Sequence, residues 1–133
     1  MDATFLEKLR SDYPQFIFSQ GKRFSFVPPK HIYIGPDEPG DKLLLLHELG
    51  HALSEHRNFT TEAKRLKMER EAWEKARELA EKYGVYFDEN LVEGELDSYR
   101  DWLHKKSCCP VCGLTMYQST DGEFHCPRCE NLT

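Results

Sequence analysis

The sequence has no long apolar run. Its most apolar stretch, Leu43 to Leu46, falls far short of the roughly 20 residues that span a bilayer, so no membrane segment is expected. A basic n-region and an apolar h-region are also missing from the start of the chain, Met1-Asp2-Ala3-Thr4, so no secretory signal is expected and a cytoplasmic location follows by default. Dense Lys/Arg runs are lacking too. The formal net charge is −5, with the acidic excess in residues 36–56 and 84–103, and no stretch carries the electrostatic footprint of a dedicated nucleic-acid binder. Internal repeats and low-complexity tracts are absent. What remains is 133 residues, 39% hydrophobic and 31% charged, which is enough for one small soluble domain plus an appendage.

Local patterns predict an α+β core. Residues 2–12 suit a short amphipathic helix with Phe5, Leu6 and Leu9 on one face, ended by Pro14. Phe16 to Phe18 and Phe24 to Val27 suit strands joined in a hairpin with its turn at Gly21. His31 to Gly35 suits a third strand, so a three-stranded antiparallel sheet is expected. Asp41 is placed to cap a helix that carries the leucine run. Further helices are expected over Thr60 to Tyr83, stopped by Gly84, and over Asn90 to His104.

The helix expected after Asp41 contains His47-Glu48-Leu49-Gly50-His51, an H-E-x-x-H pattern. On a helix, positions i and i+4 share a face, so His47 and His51 can hold one metal ion together. Glu48 lies beside them and can act as the base that takes a proton from a water. The leucine run buries this helix, and a dry surround strengthens a metal's electrostatics.

A hydrolytic zinc site needs a third protein ligand and an open position. Metzincins place a His six residues after the second motif His; here that position is Arg57, and His56 comes one residue too early. Other zincins use a Glu from a downstream helix, and Glu69-Arg70-Glu71 supplies candidates. At about 100° per residue, Glu69 falls on the stripe of Leu66, Trp73, Ala76, Ala80 and Tyr83, whereas Glu71 falls opposite it among solvated residues. A carboxylate on a buried face must be paired or bound to metal. Glu69 is therefore expected as the third ligand, the alternative being an ion pair with Arg65.

The tail carries two further pairs, Cys109-Pro110-Val111-Cys112 and Cys126-Pro127-Arg128-Cys129. Two C-x-x-C knuckles can give four thiolates to one tetrahedral zinc, with a hairpin between them turning at Asp121-Gly122. This is the pattern of a zinc ribbon, expected over residues 105–133 after a core of residues 1–104, with 105–107 as a short link. Cys108 is left over. The tail's charges balance, Lys105, Lys106 and Arg128 against Asp121, Glu123 and Glu130, so a docking or stabilising role is preferred to nucleic-acid binding.

His-Glu-Leu-Gly-His followed by E-x-E-A on the next helix resembles the ImmA/IrrE-type metallopeptidases, over roughly residues 25–80. The resemblance implies a small zincin-like core, a catalytic zinc on His47, His51 and Glu69, and Glu48 as base. It also implies an intracellular peptidase acting on a protein, such as a helix-turn-helix repressor. The family often continues E-A-N-x-F-A where this chain has Glu71-Ala72-Trp73-Glu74-Lys75-Ala76, and a cysteine-rich tail is not general in it. Two other readings compete: a SprT-like protease acting on DNA-bound proteins, which also joins HExxH to a ribbon but uses a His as third ligand, and a non-catalytic zinc-stabilised binding protein. Tyr83 and Tyr99 are the candidate oxyanion donors. An extended substrate is expected to add to the strand Ile32 to Ile34. The sequence carries no signal for oligomeric state.

Overall fold

The structure is a computed structural model that describes residues 1–56 and 59–130. Its elements are α1 (Ala3–Asp12), β1 (Ile17–Gln20), β2 (Ser25–Val27), β3 (His31–Ile34), α2 (Asp41–Leu53), α3 (Glu62–Tyr83), α4 (Glu89–Ser107), β4 (Tyr117–Gln118) and β5 (Phe124–His125). No described helix is long and apolar enough to cross a membrane. Position Arg57, where a metzincin would have its third histidine, lies outside the described residues.

The chain is α+β, but its larger sheet is mixed. β3 lies in the middle, parallel to β1 and antiparallel to β2. The expected hairpin does not form, because Gly21 does not turn the chain. Its N–H donates to the Ile34 carbonyl, and a Cβ there would stand 3.0 Å from the Cβ of Tyr33. Gly21 thus prolongs β1 along β3, and glycine is needed for close approach rather than for a turn. β3 can then bury Ile32 and Ile34 between its neighbours. The expected strand addition along Ile32 to Ile34 fails with the hairpin, since both edges of β3 are already paired. β2 is an edge strand instead.

α2 lies between the sheet and α3 and is buried nearly all round, with Leu43, Leu45, Leu46, Leu49 and Ala52 in the core. Its N-cap is Gly40, in the left-handed conformation at φ 86°, rather than Asp41. Asp41 is instead the first helical residue, and its carboxylate accepts from the Lys42 N–H. That still places a negative charge at the positive end of the helix dipole. α3 starts at Thr61, whose hydroxyl accepts from Lys64 N–H, and stops at Gly84. α4 runs on through 105–107, so the expected link is helical.

Gly50 sets the distance between α2 and α3. A Cβ on Gly50 would lie 2.5 Å from the carbonyl oxygen of Ala72, a backbone atom that cannot swing aside. Gly50→Ala is therefore expected to lower stability by about 1–3 kcal/mol, as overpacking does, and to weaken metal binding because it moves α3 away from α2. Urea unfolding with an unchanged midpoint would contradict this close packing.

Candidate metal centre

α2 presents His47 and His51 to α3 one turn apart. Their Nε2 atoms are 3.2 Å from each other. Glu69, near the middle of α3, completes the cluster: Oε2 lies 3.0 Å from His47 Nε2, and Oε1 lies 3.1 Å from His51 Nε2. The three donor groups form a cluster that could hold a metal ion, and no fourth ligating residue joins it among the described residues. Arg65, the alternative partner for Glu69, instead pairs with Glu62 at 3.8 Å.

The spacing suits a small tetrahedral ion. Bonds of 2.0–2.1 Å to nitrogen and oxygen imply donor separations of about 3.4 Å, close to the 3.0–3.2 Å seen here. Burial pushes the His47 pKa down, which outweighs the pull of Glu69 and keeps the ring neutral, the form that binds metals. Burial alone would raise Glu69, but hydrogen bonds from His47 and His51 prevail and hold it far below the usual carboxylate range. Glu48 moves the other way. Burial pushes it up to about 7, with the Glu69 charge adding to the rise and His51 and the Phe26 N–H opposing it.

His47 is buried and stacks on Trp73, with ring centroids 3.9 Å apart and planes at 25°. Its Nδ1 has no hydrogen-bond partner among the described residues. His51 is held differently. Its Nδ1 lies 2.9 Å from His56 Nδ1, and His56 Nε2 lies 2.9 Å from Glu71 Oε2. Glu71 is partly solvated, as its helical phase suggests, but it also holds His56. It sits on the flank of α3 that the turn after α2 reaches.

A cleft of about 750 Å³ opens on one side of the cluster, lined by Leu44, His47, Trp73, Leu96, Tyr99 and Trp102 among others. A second of about 640 Å³ opens on the other, lined by Ser25, Phe26, His51, His56 and Met68 among others. Phe24, Glu48, Arg65, Glu69 and Glu95 line both. The two clefts are joined through these five residues into one groove beside the cluster, and its second half borders β2 at Ser25 and Phe26. Of the two tyrosines considered as oxyanion donors, Tyr83 is remote from this groove, its hydroxyl donating to Asp12. Tyr99 lines the groove, but its hydroxyl donates to Glu62 Oε2 at 2.7 Å.

Glu62 went unnoticed in the sequence. It is buried at the start of α3, accepting from Tyr99 and from Lys106 Nζ, while its backbone N–H donates to Gln118 of the tail. A lone acid beside the cations Lys64, Arg65 and Lys67 looks like an ordinary surface charge, and only the packing of α4 and the tail buries this one.

In the tail, Cys109, Cys112, Cys126 and Cys129 form a second cluster able to hold a metal. Sγ of Cys109 is 3.8 Å from that of Cys129, and Sγ of Cys112 is 3.5 Å from that of Cys126. Tetrahedral zinc–thiolate bonds of 2.3 Å imply about 3.8 Å. Backbone N–H groups of Cys112 and Val111 hold Cys109 down, at about 6, while crowding by Cys126 and Cys109 pushes Cys129 up to about 12. Four sulfurs this close cannot all ionise without a cation among them. Cys108 is outside the cluster, with its Sγ 4.0 Å from His104 Nε2.

No protein-family model, curated protein or solved structure matches this chain.

Proposed function

We propose that the chain is a zinc-dependent metallopeptidase of the ImmA/IrrE type, with a second, structural zinc in a C-terminal ribbon. The observation that carries this reading is the convergence of His47, His51 and Glu69 on one point, with Glu48 on the same groove and no fourth ligating side chain among the described residues. A site that only held the fold together would be closed by a fourth ligand. When bound, zinc supplies the Lewis acid that polarises a water and the scissile carbonyl.

Glu48 takes the proton of the attacking water and later delivers it to the leaving amine. In the metal-free chain burial raises the pKa of this carboxyl, so it is more basic than a solvated glutamate. Substrate lies extended against β2, whose outer edge faces the groove, so main-chain hydrogen bonds place the peptide across the motif helix. Leu44, Trp73 and Leu96 give one half of the groove an apolar wall that favours an apolar substrate side chain. An unfolded or mobile segment of a cytoplasmic protein, such as a repressor, meets these demands.

The test is incubation of the zinc-loaded chain with a proteome-derived peptide mixture, read by mass spectrometry. Cleavage that stops with a chelator and returns with zinc is expected. An unchanged mixture at every peptide length would remove the peptidase reading.

A further inference from the structure

We infer that His56 and Glu71 are positioning residues that fix the ring orientation and tautomer of His51 as a metal ligand; the inference rests on the metal-centre reading above. Its starting point is the way α2 ends. Glu55 adopts the left-handed conformation at φ 55°. Its N–H donates to the Ala52 carbonyl, and the N–H of His56 donates back to the His51 carbonyl at 3.0 Å. This pair of bonds is the Schellman motif, in which the second residue past the cap returns to touch the residue of the last turn. That contact is usually apolar. Here it sets the ring of His56 against the ring of His51, 5.1 Å apart between centroids.

The protons along the chain follow from its far end. An ionised carboxylate only accepts, so Glu71 requires the proton of His56 to be on Nε2. Neutral His56 then has a lone pair at Nδ1, which accepts from His51 Nδ1–H. That leaves the lone pair of His51 on Nε2, facing His47 and Glu69. A metal ligand needs this tautomer, and an outer partner on the second nitrogen is what selects it. Glu69 and Glu71, two residues apart on α3, thereby address opposite nitrogens of one imidazole, the first directly and the second through His56.

Among the described residues nothing equivalent serves His47, which the Trp73 ring holds by stacking while its Nδ1 lacks a partner. The two histidines of the motif are therefore set independently, and a change at His56 acts on His51 alone. His56 is 8% exposed, so bulk water does not replace it. The pattern has a sequence signature: a His five residues after the second motif His, and a second Glu two residues after the ligand Glu.

Zinc and cobalt(II) titrations of the full chain test this, since cobalt bound to nitrogen and oxygen differs in visible spectrum from cobalt bound to four thiolates, and the two sites are read separately. His56→Phe is expected to weaken metal binding at the histidine site by about 10–100-fold, with the thiolate site and the circular dichroism unchanged. His56→Asn, whose side-chain oxygen can sit where Nδ1 accepts, is expected to restore most of the loss. Glu71→Ala, at a half-exposed position that leaves the core intact, is expected at the lower end, about 10-fold. Unchanged affinity in His56→Phe, or equal loss in His56→Phe and His56→Asn, would overturn the inference. Should His56→Phe fail to fold, Glu71→Ala decides alone, and unchanged affinity there overturns it. A parent protein that binds cobalt only through thiolates would instead refute the metal centre itself, a distinct spectroscopic result.

Discussion

Glu48→Gln is expected to slow peptide cleavage by about 10²–10⁴-fold, the usual contribution of a general base, with two zinc ions still bound. Glutamine matches glutamate in size and shape, so the local packing has no reason to change. It cannot take a proton from water. The three residues of the metal cluster are untouched, so zinc affinity stays within a few-fold of the parent. Stability has its own sign. In the metal-free protein burial raises the Glu48 pKa from 4.5 to about 7, so the folded state binds this proton more tightly than the unfolded state. A raised carboxylate costs stability as pH climbs from the unfolded value through the folded one. Metal-free Glu48→Gln is thus expected to unfold at a higher urea concentration than the parent at pH 8, and to converge with it near pH 4. Equal cleavage rates in the two zinc-loaded proteins would remove Glu48 from the mechanism.

The largest effect on folding is expected in the tail. Cys109→Ser with Cys126→Ser removes one thiolate from each knuckle, including the two buried sulfurs of the cluster. The tail has two short strands of two residues each and almost no apolar core, so the metal supplies its folding energy. Structural zinc contributes about 10–16 kcal/mol in isolated fingers, far more than so small a segment can replace. Amide exchange over residues 108–130 is expected to approach that of an unfolded chain in the double variant. The first turn of α3 should loosen with it, because Gln118 and Gly122 of the tail pack against Glu62 and Thr60. The leucines of α2 should stay protected, since the core cluster they belong to includes no described residue of the tail. Retained protection over 108–130 would show that the tail folds without its metal.

Some of this was legible in the chain and some was not, for physical reasons. The motif helix was readable because a helix repeats every 3.6 residues, so two histidines four apart and a leucine run describe one element without outside information. Glu69 was readable for a related reason: an acid on an apolar stripe is a local anomaly. The sheet departs from the antiparallel expectation because strand order is not local. Phe16 to Val27 looks like a hairpin, and only the insertion of β3 between the two strands shows that Gly21 is a site of close approach. Glu71 is on the solvated flank that its helical phase predicts, but its partner is not legible, because the turn after α2 brings His56 to that flank. That turn depends on a left-handed conformation at Glu55, and a glutamate gives no warning of one. Gly50 carries no signal of its own inside the motif, since its role is a distance to Ala72 that exists only once the two helices pack. Residues 105–107 looked like a linker for want of apolar side chains, but Lys106 has a buried partner in Glu62.

An anomalous-scattering map at the zinc edge, from crystals of the full chain, tests the central claim most directly. Two peaks are predicted. One lies within bonding distance of His47 Nε2, His51 Nε2 and the Glu69 carboxylate, with its fourth position open to solvent, and the other lies among the four cysteine sulfurs. A single peak at the cysteines, with none between α2 and α3, would contradict the account.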